Sequence, residues 1–169
     1  MASTTSLATS SAGIPEDKPN PKHVLLMLDM QKFMLEEQPV GVPAAKAVHQ
    51  NLAQLIFDPL PNEVVIDKRK NNAFAGTTLG SYVAPDAEVV VVGFQTDFSV
   101  RATCSAALGR GNEVILLKEA HATFDRIEVL HGGGITPAAA IEAEIEAELE
   151  EAGVHIFEMR DLRGIFEDR

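Results

Sequence analysis

The chain has 169 residues, 46% of them hydrophobic, enough for one domain with a real core and too few for a second of similar size. Its formal net charge of −11, from 14 basic and 25 acidic residues, disfavours a nucleic-acid backbone or an anionic membrane surface as partner. A single cysteine, Cys104, rules out an intrachain disulfide framework and a cysteine-rich zinc cluster, and points to a reducing, cytoplasmic setting.

Met1 to Pro21 is rich in Ser, Thr, Ala and Pro without an apolar pattern and is expected to be a disordered tail, leaving residues 22–169 as the folded domain. No apolar run approaches the ~20 residues that cross a bilayer. His23 to Met30 (HVLLMLDM) is continuously apolar up to Asp29, the pattern of a strand buried on both faces in a parallel sheet. Asp29 reads either as a loop residue or cap just past that strand, or as a functional carboxylate at its carboxyl end.

From Pro43 to Ile56, Val48, Leu52, Leu55 and Ile56 follow the spacing of a helix with one buried face. The two-proline stretch Phe57 to Asn62 leads into Glu63 to Lys68 (EVVIDK), a second expected buried strand ending in Lys68. Gly76 to Val83 suggests a short helix. Glu88 to Gly111 then reads as a buried strand, broken at Gly93, and a helix restarting near Ser99. A side chain at such a junction faces the unpaired N–H groups and positive dipole end of the helix, which favours a nucleophile or an anion holder.

Glu113 to Ala120 is another strand, followed by a loop from His121 to Thr136. Thr136 to Gly153 is the clearest helix, with Thr136 as N-cap, Pro137 in its first turn, Ile141, Ile145, Leu149 and Ala152 as its buried stripe, and Gly153 as its stop. Its six glutamates, including Glu142 and Glu146, read as a solvated face. His155 to Met159 supplies the last strand. Alternating strands and helices predict an α/β fold, a three-layer α-β-α sandwich with a mostly parallel sheet. No phosphate-binding glycine motif is present.

Three strand ends thus carry Asp29, Lys68 and Ser99. With LLMLDMQKF at Leu25 to Phe33, DKRKNNAF at Asp67 to Phe74, GFQTDFSVRAT at Gly93 to Thr103 and GNEVILLKEAHATFD at Gly111 to Asp125, the sequence resembles the isochorismatase-like, or cysteine hydrolase, family. The resemblance implies hydrolysis of a small-molecule substrate, a vinyl ether or a C–N amide bond, by a homo-oligomer. It carries the family's catalytic aspartate onto Asp29, its lysine onto Lys68 and its nucleophilic cysteine onto Ser99. It places a non-proline cis peptide at Phe94-Gln95, an oxyanion hole on the N–H groups of Gln95 and Ser99, and Phe33 and Phe74 in the substrate pocket. No cofactor and no metal follow from it.

Two departures shape the expected chemistry. A serine is far less acidic than a thiol and no histidine belongs to the matched triad, so acid catalysis by Asp29 ranks above nucleophilic attack by Ser99. Cys104 is no substitute, because five helical residues turn it about 140° away from Ser99. The second departure lies between Ile56 and Glu63, where family members insert a further strand and a long loop. Five strands instead of six are therefore expected. A catalytically silent or truncated member that binds a metabolite or pairs with a full-length relative is the alternative.

Overall fold

The computed structural model describes residues 21–36, 41–55, 63–129 and 132–161. The tail 1–20 and the bridge 56–62 lie outside the described residues, as do the side chains of Leu52 and Leu55. Four parallel strands form the main sheet in the order β1 (His23–Leu28), β2 (Glu88–Phe94), β3 (Glu113–Ala122), β6 (His155–Phe157). A small antiparallel pair, β4 (Arg126–Ile127) and β5 (Ile135–Thr136), lies within the stretch expected to be loop.

The layering follows from the two-residue period of a strand. Val90, Val92 and Phe94 of β2, with Ile115 and Leu117 of β3, meet Val48 of helix α1 (Ala45–Leu55) on one face. Val89, Val91, Val114 and Leu116 meet the opposite layer, made by the short helix α2 (Leu79–Tyr82), α3 (Arg101–Arg110) and α4 (Ala138–Ala152). Every residue of β2 is buried, as a central strand covered on both faces must be. Each such aliphatic side chain contributes about 1.5–3 kcal/mol by leaving water. The expected three-layer α/β architecture is the observed one.

Glu63 to Lys68, expected as a buried strand, joins no sheet, and Val64 and Val65 are 54% and 81% exposed. The main sheet therefore has four strands among the described residues rather than five. Local apolarity marks the segment as strand-like, but pairing needs a neighbour's N–H and C=O groups, which the pattern does not contain. Among the described residues β1 is bonded on one side only, to β2.

The ends of α4 differ from expectation in an instructive way. Thr136 lies in β5, where its hydroxyl donates to Glu128, and the N-cap is Pro137. A side chain from elsewhere does the capping: Asp125 Oδ1 accepts the Ala138 N–H at 2.8 Å. Ile141, Ile145 and Leu149 are buried as expected, Ala152 is exposed, and Gly153 ends the helix at φ 107°. Among the described residues no helix is long and apolar enough to cross a membrane.

Candidate active site

The sheet brings the carboxyl ends of β1 and β2 together, and the contact depends on one glycine. Gly93, at φ 113°, lies so close to β1 that a Cβ there would sit 2.1 Å from the Leu28 carbonyl oxygen. Only a residue without a side chain permits that approach. Leu28 is followed directly by Asp29, so this contact sets where the carboxylate stands.

Asp29 itself occupies the left-handed region at φ 49°, unusual for any residue but glycine, and its carbonyl accepts the Gln31 N–H at 2.7 Å. Non-glycine residues in this region cluster at functional sites, where surrounding contacts hold them. On the β2 side the Phe94-Gln95 peptide is cis, at the bond the resemblance named. The chain then makes one π-helical turn, Thr96–Val100, before α3 begins at Arg101. The Val100 N–H reaches back to the Gln95 carbonyl at 3.1 Å, which closes the wide turn and directs Ser99 inward.

Asp29, Lys68 and Ser99 meet at one point. Lys68 Nζ stands 2.7 Å from Asp29 Oδ2 and donates to Ser99 Oγ at 3.0 Å and to the Lys70 carbonyl at 3.0 Å. The ammonium group thus has one ion-pair partner and two hydrogen-bond acceptors. Ser99 Oγ in turn donates to Asp29 Oδ2. Ser99 is 4% exposed, while the Asp29 and Lys68 side chains keep 22% and 14% of their surface, so the cluster is reachable from solvent chiefly through the carboxylate. A half-buried ion pair with each remaining donor matched can hold or pass a proton without leaving a bare charge.

The remaining expected site residues spread around this point. Gln95 precedes the π turn and is partly buried. Phe33 lies in the 3₁₀ turn Lys32–Leu35 that follows Asp29 and is 44% exposed. Phe74 packs against the buried cluster on the α2–α3 side, with the Arg110 guanidinium 4.6 Å above its ring. Cys104 is fully buried in that same cluster, and burial pushes its thiol up to about 12 against a smaller backbone hydrogen bond that favours the thiolate.

A second polar group went unrecognised in the sequence. Glu142 and Glu146, expected on a solvated face, turn toward the sheet. Glu142 Oε1 accepts the Thr123 N–H at 3.1 Å, and Glu146 lies between Lys118 at 3.2 Å and His121 at 3.3 Å. His121, expected in a loop, is the penultimate residue of β3 and is buried, with Nδ1 3.0 Å from Thr96 Oγ1. The available signal was position: Glu142 and Glu146 follow the buried Ile141 and Ile145 by one residue each, at the edge of the apolar stripe. Among the described residues no group of three or more His, Cys, Asp or Glu side chains could hold a metal ion.

Residues 56–136 match the family model of the isochorismatase domain. A streptothricin hydrolase of Streptomyces noursei is 40% identical over 73 residues, a match covering 42% of this chain and 29% of that protein. Among solved structures, an isochorismatase from Pseudomonas putida KT2440 superposes with a TM-score of 0.72 at 22% identity, covering 86% of this chain and 93% of the other. A cysteine hydrolase from Pseudomonas syringae pv. phaseolicola 1448A gives 0.73 at 16% identity, over 83% of this chain and 90% of the other. At such identities the two structures speak for the fold.

Proposed function

We propose that this chain is an isochorismatase-like hydrolase and that it hydrolyses a small metabolite at the cluster of Asp29, Lys68 and Ser99. The observation that carries the reading is the convergence of the three groups from separate segments onto one carboxylate oxygen, Asp29 Oδ2.

Energetics assign the roles. Moving a proton from a water-like hydroxyl to an ordinary carboxylate spans roughly 12 pKa units, about 16 kcal/mol. From an ordinary thiol it spans roughly 5 units, about 6 kcal/mol. A serine served only by a carboxylate is thus a poor nucleophile, whereas a cysteine in its place would be an adequate one. Asp29 is therefore the group that exchanges a proton with substrate. Lys68 stabilises the charge that appears on Asp29 or on the substrate, and Ser99 holds both in register. Water completes the hydrolysis, and the bond broken is a vinyl ether or a C–N amide bond. The N–H groups of Gln95 and Ser99 face the developing oxyanion, and Phe33 and Phe74 bound the substrate.

The test is a panel of vinyl-ether, amide and imide substrates, streptothricin included because of the likeness to streptothricin hydrolase, assayed with the parent chain and with Asp29→Asn. Turnover by the parent and its loss in Asp29→Asn support the proposal; undiminished turnover in the variant removes Asp29 from the chemistry. One observation favours a second reading, a chain that binds a metabolite without turning it over: Ser99 Oγ already has both a donor and an acceptor within the cluster. Absence of turnover across the whole panel, with saturable binding of a panel member, selects that reading. We further propose that copies of the chain associate as a homo-oligomer.

A further inference from the structure

The carboxyl half of β3 departs from regular pairing. Leu116 lies opposite Val91 and His121 opposite Gly93, so β3 carries four intervening residues where β2 has one. In this bulge Glu119 takes φ 64°, and Asn51 of α1 donates to its carbonyl at 2.8 Å. The bulge thereby sets His121 beside the residues that lead into the π turn Thr96–Val100, which carries Ser99.

That turn has no side-chain cap of its own. Gln95, the residue before it, makes no capping bond, and the Phe98 and Val100 N–H groups both return to the Gln95 carbonyl, at 3.2 and 3.1 Å. The hold on the first residue of the turn comes instead from β3. Thr96 is fully buried, and its Oγ1 lies 3.0 Å from His121 Nδ1. The other ring nitrogen, Nε2, is 3.3 Å from Glu146 Oε1, and the second oxygen of that carboxylate is 3.2 Å from Lys118 Nζ. A ring that is 1% exposed is thus engaged on both sides, by α4 and by the turn. Asp97, the next residue of the turn, is held from the same direction, as acceptor of the Thr123 hydroxyl.

Donor and acceptor roles follow from the carboxylate. Burial pushes Glu146 up, but His121 and Lys118 outweigh it and keep the group below the ordinary glutamate value, so at neutral pH it is ionised and can only accept. In the neutral imidazole the proton therefore sits on Nε2, facing Glu146, and Nδ1 is left to accept the Thr96 hydroxyl.

We propose that His121 is a positioning residue for the hydrolytic site. With its proton held on Nε2 by Glu146, it takes the Thr96 hydroxyl through Nδ1 and so fixes the turn that presents Ser99 to Asp29 and Lys68. The effect on turnover rests on the hydrolytic reading of that cluster; the effect on the turn does not.

Two amide substitutions test this, because each reproduces one ring nitrogen. His121→Asn sets an amide oxygen near the position of Nδ1 and can still accept from Thr96, whereas His121→Gln reaches the position of Nε2 and keeps only Glu146. His121→Asn is expected to hold kcat within about threefold of the parent, while His121→Gln and Thr96→Val each lower it about tenfold at unchanged KM, the effect of one buried hydrogen bond. The two losses should not add in the double variant, since both remove the same contact. Hydrogen–deuterium exchange at the Val100 amide, read without substrate, should follow the same order: slow in the parent and His121→Asn, faster in His121→Gln and Thr96→Val. The imidazole ¹⁵N resonances of the parent should report the proton on Nε2. If the parent turns over no member of the substrate panel, the hydrolytic reading fails and the exchange and ¹⁵N measurements decide the proposal by themselves. A proton on Nδ1 in the parent, equal behaviour of His121→Asn and His121→Gln, or slow Val100 exchange in Thr96→Val overturns it.

Discussion

Ser99 donates its hydroxyl proton to Asp29 Oδ2, the same oxygen that receives the Lys68 ammonium group. The hydroxyl oxygen is simultaneously an acceptor for that ammonium group. In this arrangement the serine links an acid to a base and has no lone pair directed by a stronger base toward substrate.

Replacing Ser99 is therefore expected to separate two chemistries. If Asp29 acts by proton transfer to substrate, Ser99→Ala keeps kcat within about thirtyfold of the parent, because the two hydrogen bonds of the hydroxyl, about 1 kcal/mol each, are lost. Ser99→Cys opens a covalent route on amide substrates, and an acyl adduct of matching mass should accumulate on the new thiol. A covalent adduct on the native Ser99, with Ser99→Ala inactive, would instead make the serine a nucleophile.

Gly93→Ala should disturb the site through the backbone alone. Its methyl group would overlap the Leu28 carbonyl, and the positive φ penalises any side chain, so the ends of β1 and β2 must separate. A loss of roughly 2 kcal/mol or more in urea denaturation is expected. Turnover should fall further than stability explains, because Asp29 is attached to the displaced residue.

Cys104 should resist thiol reagents in the folded chain. Its side chain is fully buried and its thiol is pushed up to about 12, so both access and thiolate are lacking. Modification by a maleimide at pH 7 is expected to occur only at the rate of unfolding. Rapid labelling that leaves the fold intact would contradict this.

Glu142 and Glu146 make opposite contributions to the pH dependence of stability. Burial pushes Glu146 up, but the hydrogen bond and charge of His121, followed by those of Lys118, outweigh it and hold the group below the ordinary glutamate value of 4.5. Its stabilisation is present above that value and disappears as pH falls through the lower folded one. Glu146→Gln should be less stable than the parent at pH 7, with the gap closing in acid. Burial holds Glu142 above 4.5, so its ionisation opposes folding once pH exceeds the raised value. Glu142→Gln should accordingly be relatively more stable at pH 7 than at pH 4, and urea midpoints across that range check both signs.

How much of this was readable from sequence depends on whether a feature is local. The EVVVVGF run makes β2, and its unbroken apolarity shows that both of its faces are covered, so the central strand and the Ser99 junction were legible. The meeting of Asp29, Lys68 and Ser99 was carried by family-like motifs, because residues so far apart in the chain have no local pattern in common. The failure at Glu63 to Lys68 has the same origin: three apolar residues in succession describe a strand's surface but not its neighbours. Glu142 and Glu146 were assigned to solvent because charge usually goes there. The bulge that turns His121 and Lys118 toward them has no residue signature, since Glu119 is not the glycine or asparagine that announces a left-handed backbone.

Among the described residues β1 is bonded on one side only, to β2, so its peptide groups are not equivalent in time. In a parallel strand successive N–H groups point alternately to the two neighbours, so every second amide of His23 to Leu28 faces β2 and the others face away from it. Hydrogen–deuterium exchange should therefore record β1 as a slow–fast alternation, with slow exchange throughout the inner part of β2. The aspartate at the end of β1 thus stands at an edge of the described sheet, where brief openings would loosen its grip on Lys68 and Ser99 without unfolding the rest.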